Sequence, residues 1–294
     1  MQRKSGYVAI IGRPNVGKST LLNRILGEKI SITSRKPQTT RHRILGINTV
    51  ENIQTVYVDT PGLHQGINKA LNRYMNKTAF NVVEDVDAIV FMISGLQWHK
   101  DDDWILNRLK KLKCPIILAI NKVDTVKPRD KLLPYLQTLS SKANFVEIIP
   151  ISASKGSNVK KLEKIIADLL PQNEFLFDED QLTDRSNRFL ASEIVREKLT
   201  RELGEELPYA VAVEIEEFTK KGIVLHVSAV IYVEKTGQKA IVIGEKGERL
   251  KSISIKARHA MEKLFDTKVF LRCLVKIKRN WSDEIKMLKS LGYN

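Results

Sequence analysis

The residues Gly12-Arg13-Pro14-Asn15-Val16-Gly17-Lys18-Ser19 set two glycines, a lysine and a hydroxyl at a spacing suited to holding a phosphate chain. An apolar run, Tyr7 to Ile11, precedes them, and a helical stretch, Ser19 to Leu26, follows. Glycines at both ends let the backbone fold around an anion, so that several N–H groups and a helix N-terminus point at it. Lys18 adds a point charge and Ser19 a hydroxyl for Mg2+. A chance glycine-rich turn would not combine the preceding strand, the following helix and the Lys-Ser pair, so the segment reads as a binding loop for a nucleoside triphosphate.

Three further segments could complete such a site. Asp59-Thr60-Pro61-Gly62 ends an apolar strand, where a carboxylate can hold Mg2+ through water and the Gly62 N–H can meet a γ-phosphate. Asn121-Lys122-Val123-Asp124 follows the apolar run Pro115 to Ile120, at the end of a strand where parallel sheets bind ligands. Asp124 can accept hydrogen bonds from N1–H and the exocyclic amine of guanine; adenine offers no matching pair and would leave the carboxylate unpaired. Asn121 would tie this segment to the phosphate loop, and the Lys122 stem would cover one face of the base. Ser152-Ala153-Ser154-Lys155, after the last strand, places a backbone N–H where it can bond the guanine carbonyl.

The elements that must position these segments follow from hydrophobic period. Tyr7 to Ile11, Ile53 to Val58, Ala88 to Ile93, Pro115 to Ile120 and Phe145 to Ile151 read as buried strands. Ile67 to Val83, Asp101 to Leu112, Arg129 to Ser140 and Val159 to Leu170 have helical spacing between them. Their alternation predicts an α/β domain with a mainly parallel sheet covered by helices, and Arg43 to Val50 pairs with Ile53 to Asp59 as a hairpin adding one antiparallel strand. The expected domain spans residues 1–171. Pro171 ends its last helix, and the acidic, aperiodic stretch 172–184 reads as a linker.

Residues 185–294 predict an α+β domain of order αββααβ: a helix from Asn187 to Leu203, strands Tyr209 to Glu217 and Ile223 to Glu234, helical segments on either side of Gly244 to Gly247, a strand from Lys268 to Lys278 and a short final helix. Phe189, Leu190, Ile194, Val195, Leu199 and Leu203 read as core packing rather than a partner-helix seam. The net charge of +15 points to a polyanionic partner. From Asp184 to Glu234 acidic residues outnumber basic ten to seven, whereas from Lys235 to Lys289 basic outnumber acidic fifteen to six. Inside that basic region Ile243-Gly244-Glu245-Lys246-Gly247 joins two helical stretches, and Arg249, Lys251 and Arg258 follow.

No run approaches the length of a membrane span, and the first residues lack the apolar core of a signal peptide, so a cytoplasmic location is expected. Cys114 and Cys273 have no Cys or His at ligand spacing and read as reduced, packed thiols.

The four nucleotide motifs, in this order and at these strand ends, resemble the translation-factor-like GTPases related to Ras. The stretch Ser34-Arg35-Lys36-Pro37-Gln38-Thr39-Thr40-Arg41-His42-Arg43 narrows the resemblance to the Era GTPases. The αββααβ order around Gly-x-x-Gly resembles a type II KH domain, in which the glycines let a phosphodiester backbone approach while a groove reads about four unstacked bases. The resemblance covers nearly the whole chain. It implies a P-loop GTPase domain followed by a KH domain. In it the nucleotide is held by Gly12, Asn15, Val16, Gly17, Lys18, Ser19, Thr20, Asp59, Gly62, Asn121, Lys122, Asp124, Ser152, Ala153 and Ser154.

Metal ligands are implied at Ser19, Asp59 and one of Thr39 and Thr40, a choice the sequence leaves open. Catalytic roles fall to Lys18, Asn15, Thr39, Thr40 and Gly62. Residues 28–40 and 60–72 are implied to order with the γ-phosphate. Leu63 stands where Ras-like proteins carry a water-orienting Gln, a hydrophobic replacement that Era and its relatives share, so slow turnover is implied. Asn15 either helps hold K+ beside the phosphates or simply braces the loop.

The RNA surface implied is Ile243, Gly244, Glu245, Lys246, Gly247, Arg249, Lys251 and Arg258; His259 and Met261 read as helix packing. The implied activity is hydrolysis of GTP to GDP by a switch that binds the 3′ end of small-subunit ribosomal RNA during assembly of the 30S subunit. A monomer is expected. Trp281, Ile285, Leu288 and Leu291, with Lys286 and Lys289, form a basic amphipathic end for which packing on the KH domain is favoured over a weak peripheral contact with the inner face of the membrane. Two other readings compete: an ATPase with an unrelated basic domain, which Asp124 argues against, and an RNA chaperone or signalling module that binds GTP without hydrolysing it.

Overall fold

Residues 2–34, 36, 39–63, 70–204, 211–279 and 281 are described by a computed structural model. The chain divides into two compact units at Asp184 and Arg185, with short segments around residues 32–39 and 67–74 grouped with the second.

The first unit runs β1 (Lys4–Gly12), α1 (Lys18–Leu26), β2 (Ile44–Val50), β3 (Ile53–Asp59), α2 (Ala70–Val82), β4 (Ala88–Ser94), α3 (Lys100–Leu109), β5 (Ile116–Asn121), α4 (Leu132–Ser140), β6 (Glu147–Pro150) and α5 (Val159–Leu169). Its six strands lie in the order β2-β3-β1-β4-β5-β6. All neighbours pair in parallel except β2 with β3. Both faces of the sheet are covered, which is why its strands read as continuous apolar runs rather than alternating ones. Ala9, Ile11, Ile89, Phe91 and Ile93 face a core shared with Ala79, Ile105, Leu109 and Leu139 of α2, α3 and α4. Val8, Ile10, Val90 and Met92, of the opposite parity, are buried as well.

From β1 the chain continues to β3 on one side and to β4 on the other, so the carboxyl end of β1 is the switch point where open α/β sheets bind ligands. The phosphate-binding sequence leaves the sheet there.

Residues 172–184, expected as a linker, lie along the outer strands of this sheet. The Gln54 side chain, fully buried, accepts from the N–H groups of Leu176 and Phe177 at 2.8 and 3.0 Å and donates to the Phe177 carbonyl at 2.9 Å. The Ile47 N–H donates to the Leu182 carbonyl at 2.9 Å. The segment thereby satisfies backbone groups that edge strand β2 would otherwise leave open.

The second unit runs α6 (Asn187–Glu202), β7 (Ala212–Lys221), β8 (Val224–Val233), α7 (Thr236–Ile243), α8 (Glu248–Phe265) and β9 (Lys268–Ile277), the expected αββααβ order. β7 and β8 pair antiparallel and β9 joins β8 in parallel. Ile194, Val195 and Leu199 of α6 and Ile253, Ala257 and Met261 of α8 pack on Val227, Ala229 and Ile231. Charge is buried on α6 too, where Arg196 donates to Glu193 at 2.6 and 2.7 Å with both side chains enclosed. The expected final helix lies outside the described residues.

Met261 is fully buried, whereas His259, two residues away, is largely exposed. Met261→Ala is therefore expected to destabilise the second unit by about 2–5 kcal/mol, against a change within about 0.5 kcal/mol for His259→Ala, as read by urea denaturation of the two variants.

Candidate functional site

Gly12 ends β1 with its Cα so close to β4 that a Cβ there would lie 2.4 Å from the Met92 carbonyl oxygen. Gly17, at φ 105°, begins α1, and a Cβ on it would meet the Asn121 amide at 2.2 Å. Both glycines are thus required by close approach. Asn15, at φ 64°, makes the turn between them. Val16 is buried.

Lys18, at the first position of α1, is buried and donates to the carbonyls of Gly12 and Arg13 at 3.0 Å each. Burial lowers its pKa to about 8, against the opposing pull of Asp59. Asp59, at the end of β3, is fully buried, and desolvation raises its carboxyl above the ordinary range. Its Oδ2 accepts from Ser19 Oγ at 2.7 Å and from Ser31 Oγ at 2.8 Å. The Thr40 hydroxyl lies 2.8 Å from Ser19 Oγ, in the same cluster. The Thr39 hydroxyl turns back to the Lys36 carbonyl at 2.7 Å instead. Of the two threonines, the structure brings Thr40 to Ser19.

Gly62 passes over the loop so tightly that a Cβ would sit 2.6 Å from the Pro14 backbone, and the Leu63 N–H donates to the Gly12 carbonyl at 3.2 Å. The Leu63 side chain is buried in the core among Ala9, Ile11 and Phe91, so it takes no part in orienting water. Residues 64–69 of the second implied switch, and 35, 37 and 38 of the first, lie outside the described residues.

Asn121 joins three segments. Its amide donates to the Val16 carbonyl at 2.7 Å and its carbonyl oxygen accepts from the Ala153 N–H at 2.9 Å. Lys122, at φ 64°, donates to the Asn15 carbonyl at 2.7 Å, and burial followed by repulsion from Arg13 lowers its pKa. Asp124 stands exposed beyond it in a short 3-10 turn. Ser152 and Ala153 are buried and Ser154 exposed, in a turn closed by the Gly156 N–H on the Ser152 carbonyl at 2.7 Å. The loop, the carboxylate cluster and the Asn121 segment thus converge at the carboxyl edge of one sheet. Their backbone N–H groups and buried Lys18 make this edge suited to an anion, with Lys122, Asp124 and Ala153 on the adjoining segments.

Sequence reasoning missed three contributors. Ser31 shares Asp59 with Ser19. Arg13 is anchored at 2.7 Å by Asp102, a fully buried carboxylate at the start of α3. Arg24, in the last turn of α1, holds the carbonyls of Ala153 and Ser154. No local spacing reports any of these, because the partners lie 28 to 130 positions apart.

In the second unit Gly244 (φ 75°) and Gly247 (φ 81°) flank a tight turn between α7 and α8, with Lys246 at φ 46°. A Cβ on Gly244 would approach Arg249 Cβ at 2.6 Å, whereas Gly247 meets nothing within 4 Å. Ile243 is half-buried; Glu245, Lys246 and Lys251 are exposed around the turn. Arg249 is also exposed, but its guanidinium donates to the Ile241 carbonyl at 2.7 Å, which caps α7. Arg258 pairs with Glu262 at 3.2 Å. Two of the expected phosphate contacts are thus tied to protein groups.

Among the described residues no cluster of three or more His, Cys, Asp or Glu side chains suits a metal ion, and no helix is long and apolar enough to cross a membrane.

Residues 7–122 match the family model of the 50S ribosome-binding GTPases and residues 206–282 that of the KH domain. The chain is 57% identical over 291 residues to the GTPase Era of Marinobacter nauticus, covering 99% of this chain and 95% of that one. It is 55% identical over 290 residues to the GTPase Era of Pseudomonas aeruginosa, with the same coverage. Two solved structures share 40% identity and cover 99% of each chain: Era in complex with MgGDPNP and nucleotides 1506–1542 of 16S ribosomal RNA, at a TM-score of 0.95, and a point variant of Aquifex aeolicus Era bound to GDP and aluminium fluoride, at 0.94. A phosphate cradle and a strand-end Asn-Lys-x-Asp on one doubly covered sheet, followed by a KH fold, agree with these likenesses along the whole chain: it belongs to the Era family of GTPases.

Proposed function

We propose that residues 1–171 bind GTP with Mg2+ and hydrolyse it to GDP, that 172–184 connect them to a KH domain at 185–294, and that this domain binds the 3′ end of small-subunit ribosomal RNA during 30S assembly. The observation that carries the nucleotide half is the shared anchoring of the loop, the Asp59 cluster and the Asn121 segment at one sheet edge. The buried Asp59 Oδ1 accepts no hydrogen bond among the described residues, while Ser19 Oγ donates to Oδ2 and lies 2.8 Å from the Thr40 hydroxyl. Hard oxygen donors of this kind fit Mg2+, with Ser19 and Thr40 as direct ligands and Asp59 acting through water. The metal would neutralise charge on the phosphate oxygens. Thr39 has no part in this reading.

Lys18, released from the Gly12 and Arg13 carbonyls, takes the β- and γ-phosphates, and the Gly62 N–H meets the γ-phosphate as charge builds on it. With Leu63 buried, no side chain at that position orients the attacking water, so turnover is slow without an external contribution. The RNA half is supported by the open Gly247, the exposed Lys246 and Lys251 and the basic charge of this part of the chain, and by the RNA held by the solved relative.

Base selection at Asp124 is tested by Asp124→Asn, whose amide reverses the hydrogen-bond pattern. It should lose about ten- to hundredfold in GTP affinity and gain xanthosine triphosphate binding; an unchanged preference would remove Asp124 from the base site.

A second expectation concerns pH. In the nucleotide-free protein Lys18 loses its proton above about pH 8, and a bound phosphate chain restores it. Binding then takes up a proton, and GDP affinity falls as pH rises through that value. Calorimetry in two buffers of different ionisation enthalpy should show uptake near pH 8 and none near about pH 6.

For the RNA surface, the double variant Glu245→Asp/Lys246→Asp puts carboxylates against the phosphodiester between unaltered glycines. Filter binding of a small-subunit rRNA 3′ fragment over a salt series should show binding abolished and thermal stability retained. Undiminished binding would remove this turn from the RNA surface.

A further inference from the structure

Helix α1 carries chemistry at both ends. Its first turn presents Lys18 and Ser19, and its last turn presents Arg24. The Arg24 guanidinium donates from Nε to the Ala153 carbonyl at 3.1 Å and from Nη2 to the Ser154 carbonyl. These are consecutive carbonyls of the turn whose Ala153 N–H donates to Asn121 Oδ1 at 2.9 Å. The turn's own hydrogen bonds close it elsewhere: the Gly156 N–H on the Ser152 carbonyl at 2.7 Å, the Lys155 N–H on Ser152 Oγ at 3.2 Å, the Ser152 N–H on the Ser157 carbonyl at 3.1 Å and the Asn158 amide on the Pro150 carbonyl at 2.7 Å. Each of these leaves the carbonyls of Ala153 and Ser154 to Arg24.

A planar guanidinium, with donors at fixed spacing and direction, sets the orientation of two carbonyls, whereas a rotating lysine ammonium can hold two carbonyls without fixing their planes. Fixing the carbonyls of residues 153 and 154 fixes the planes of the peptides that follow them. It thereby limits rotation of the Ala153 residue, whose N–H now rests on Asn121 Oδ1 at 2.9 Å.

From these contacts we infer that Arg24 is a positioning residue for guanine recognition, holding the backbone donor of the 152–154 turn toward the base carbonyl. This rests on the guanine site proposed above. The role is one of geometry: about six residues of helix, roughly 9 Å of rigid rod, separate the phosphate group of contacts from Arg24. Displacement of the turn relative to the phosphate loop is resisted by that helix as well as by Asn121.

The test is a cycle between protein and ligand, run on the full chain. Affinities of GDP, 6-thio-GDP and IDP are measured for the parent, Arg24→Met, Arg24→Lys and Asp124→Asn. Sulfur at position 6 is a poor acceptor and reports the backbone donor; IDP lacks the exocyclic amine and reports Asp124. Arg24→Met should weaken GDP by about tenfold. It should shrink the parent's penalty for 6-thio-GDP severalfold while leaving the penalty for IDP in place, and Arg24→Lys should fall between. Single-turnover hydrolysis of bound GTP should keep its rate, so the loss appears in affinity rather than in chemistry. A bystander role for Arg24 predicts equal 6-thio penalties in parent and both variants, and that result overturns the inference. If Asp124→Asn leaves the IDP penalty intact, the base-site reading itself fails, an outcome separable from the first.

Discussion

An ammonium and a carboxylate are buried together at the carboxyl edge of the sheet, and neither is fully compensated by protein. Lys18 is 6% exposed and Asp59 0%. For each, desolvation is the largest influence on the proton, and their mutual attraction opposes it. Lys18 holds carbonyls and Asp59 holds hydroxyls, yet one carboxylate oxygen stays unpaired among the described residues. Leaving charge in this condition costs free energy, which an anionic ligand at Lys18 would recover. The neighbouring backbone must therefore be rigid enough to keep the two groups from relaxing toward each other or toward water.

That rigidity comes from close backbone approach. Gly12 against Met92, Gly17 against Asn121 and Gly62 against Pro14 leave no room for a methyl group. The loop is thus clamped from three sides by the ends of β4, β5 and β3, whose order around β1 is set by parallel pairing. Polar ties complete the clamp: Asn121 spans the phosphate loop and the 152–154 turn, Lys122 holds Asn15, and Asp102 holds Arg13. The phosphate-loop sequence and the 152–154 turn become one object because the same few side chains hold both.

The second unit uses the same device on a smaller scale. Gly244 brings its backbone against Arg249, and Gly247 leaves its own side open. Two helices meet at a stretch of main chain left open at Gly247, with Lys246 and Lys251 exposed around it. The core beneath it is apolar and continuous from α6 to β9, so the turn rests on fixed helix ends rather than on a mobile loop.

The sequence alone determined the fold class, the αββααβ order and the phosphate loop, because these depend on local information. A strand or helix is announced by its period, and the donors of the loop lie within eight consecutive residues. It also offered Asn121 and Ala153 as candidates at strand ends. Only the tertiary structure decided that Thr40 rather than Thr39 meets Ser19, that Ser31 shares Asp59, and that Arg24 reaches a turn 129 positions away. Residues 172–184 look like a linker by composition, and it took the register of β2 and β3 to give Gln54 its partners there. Glu193 and Arg196, both charged, are buried by the packing of α6. The reason is common to all: adjacent residues point to different sides of an element, and which side is productive depends on strand register and helix rotation, fixed only when distant segments pack.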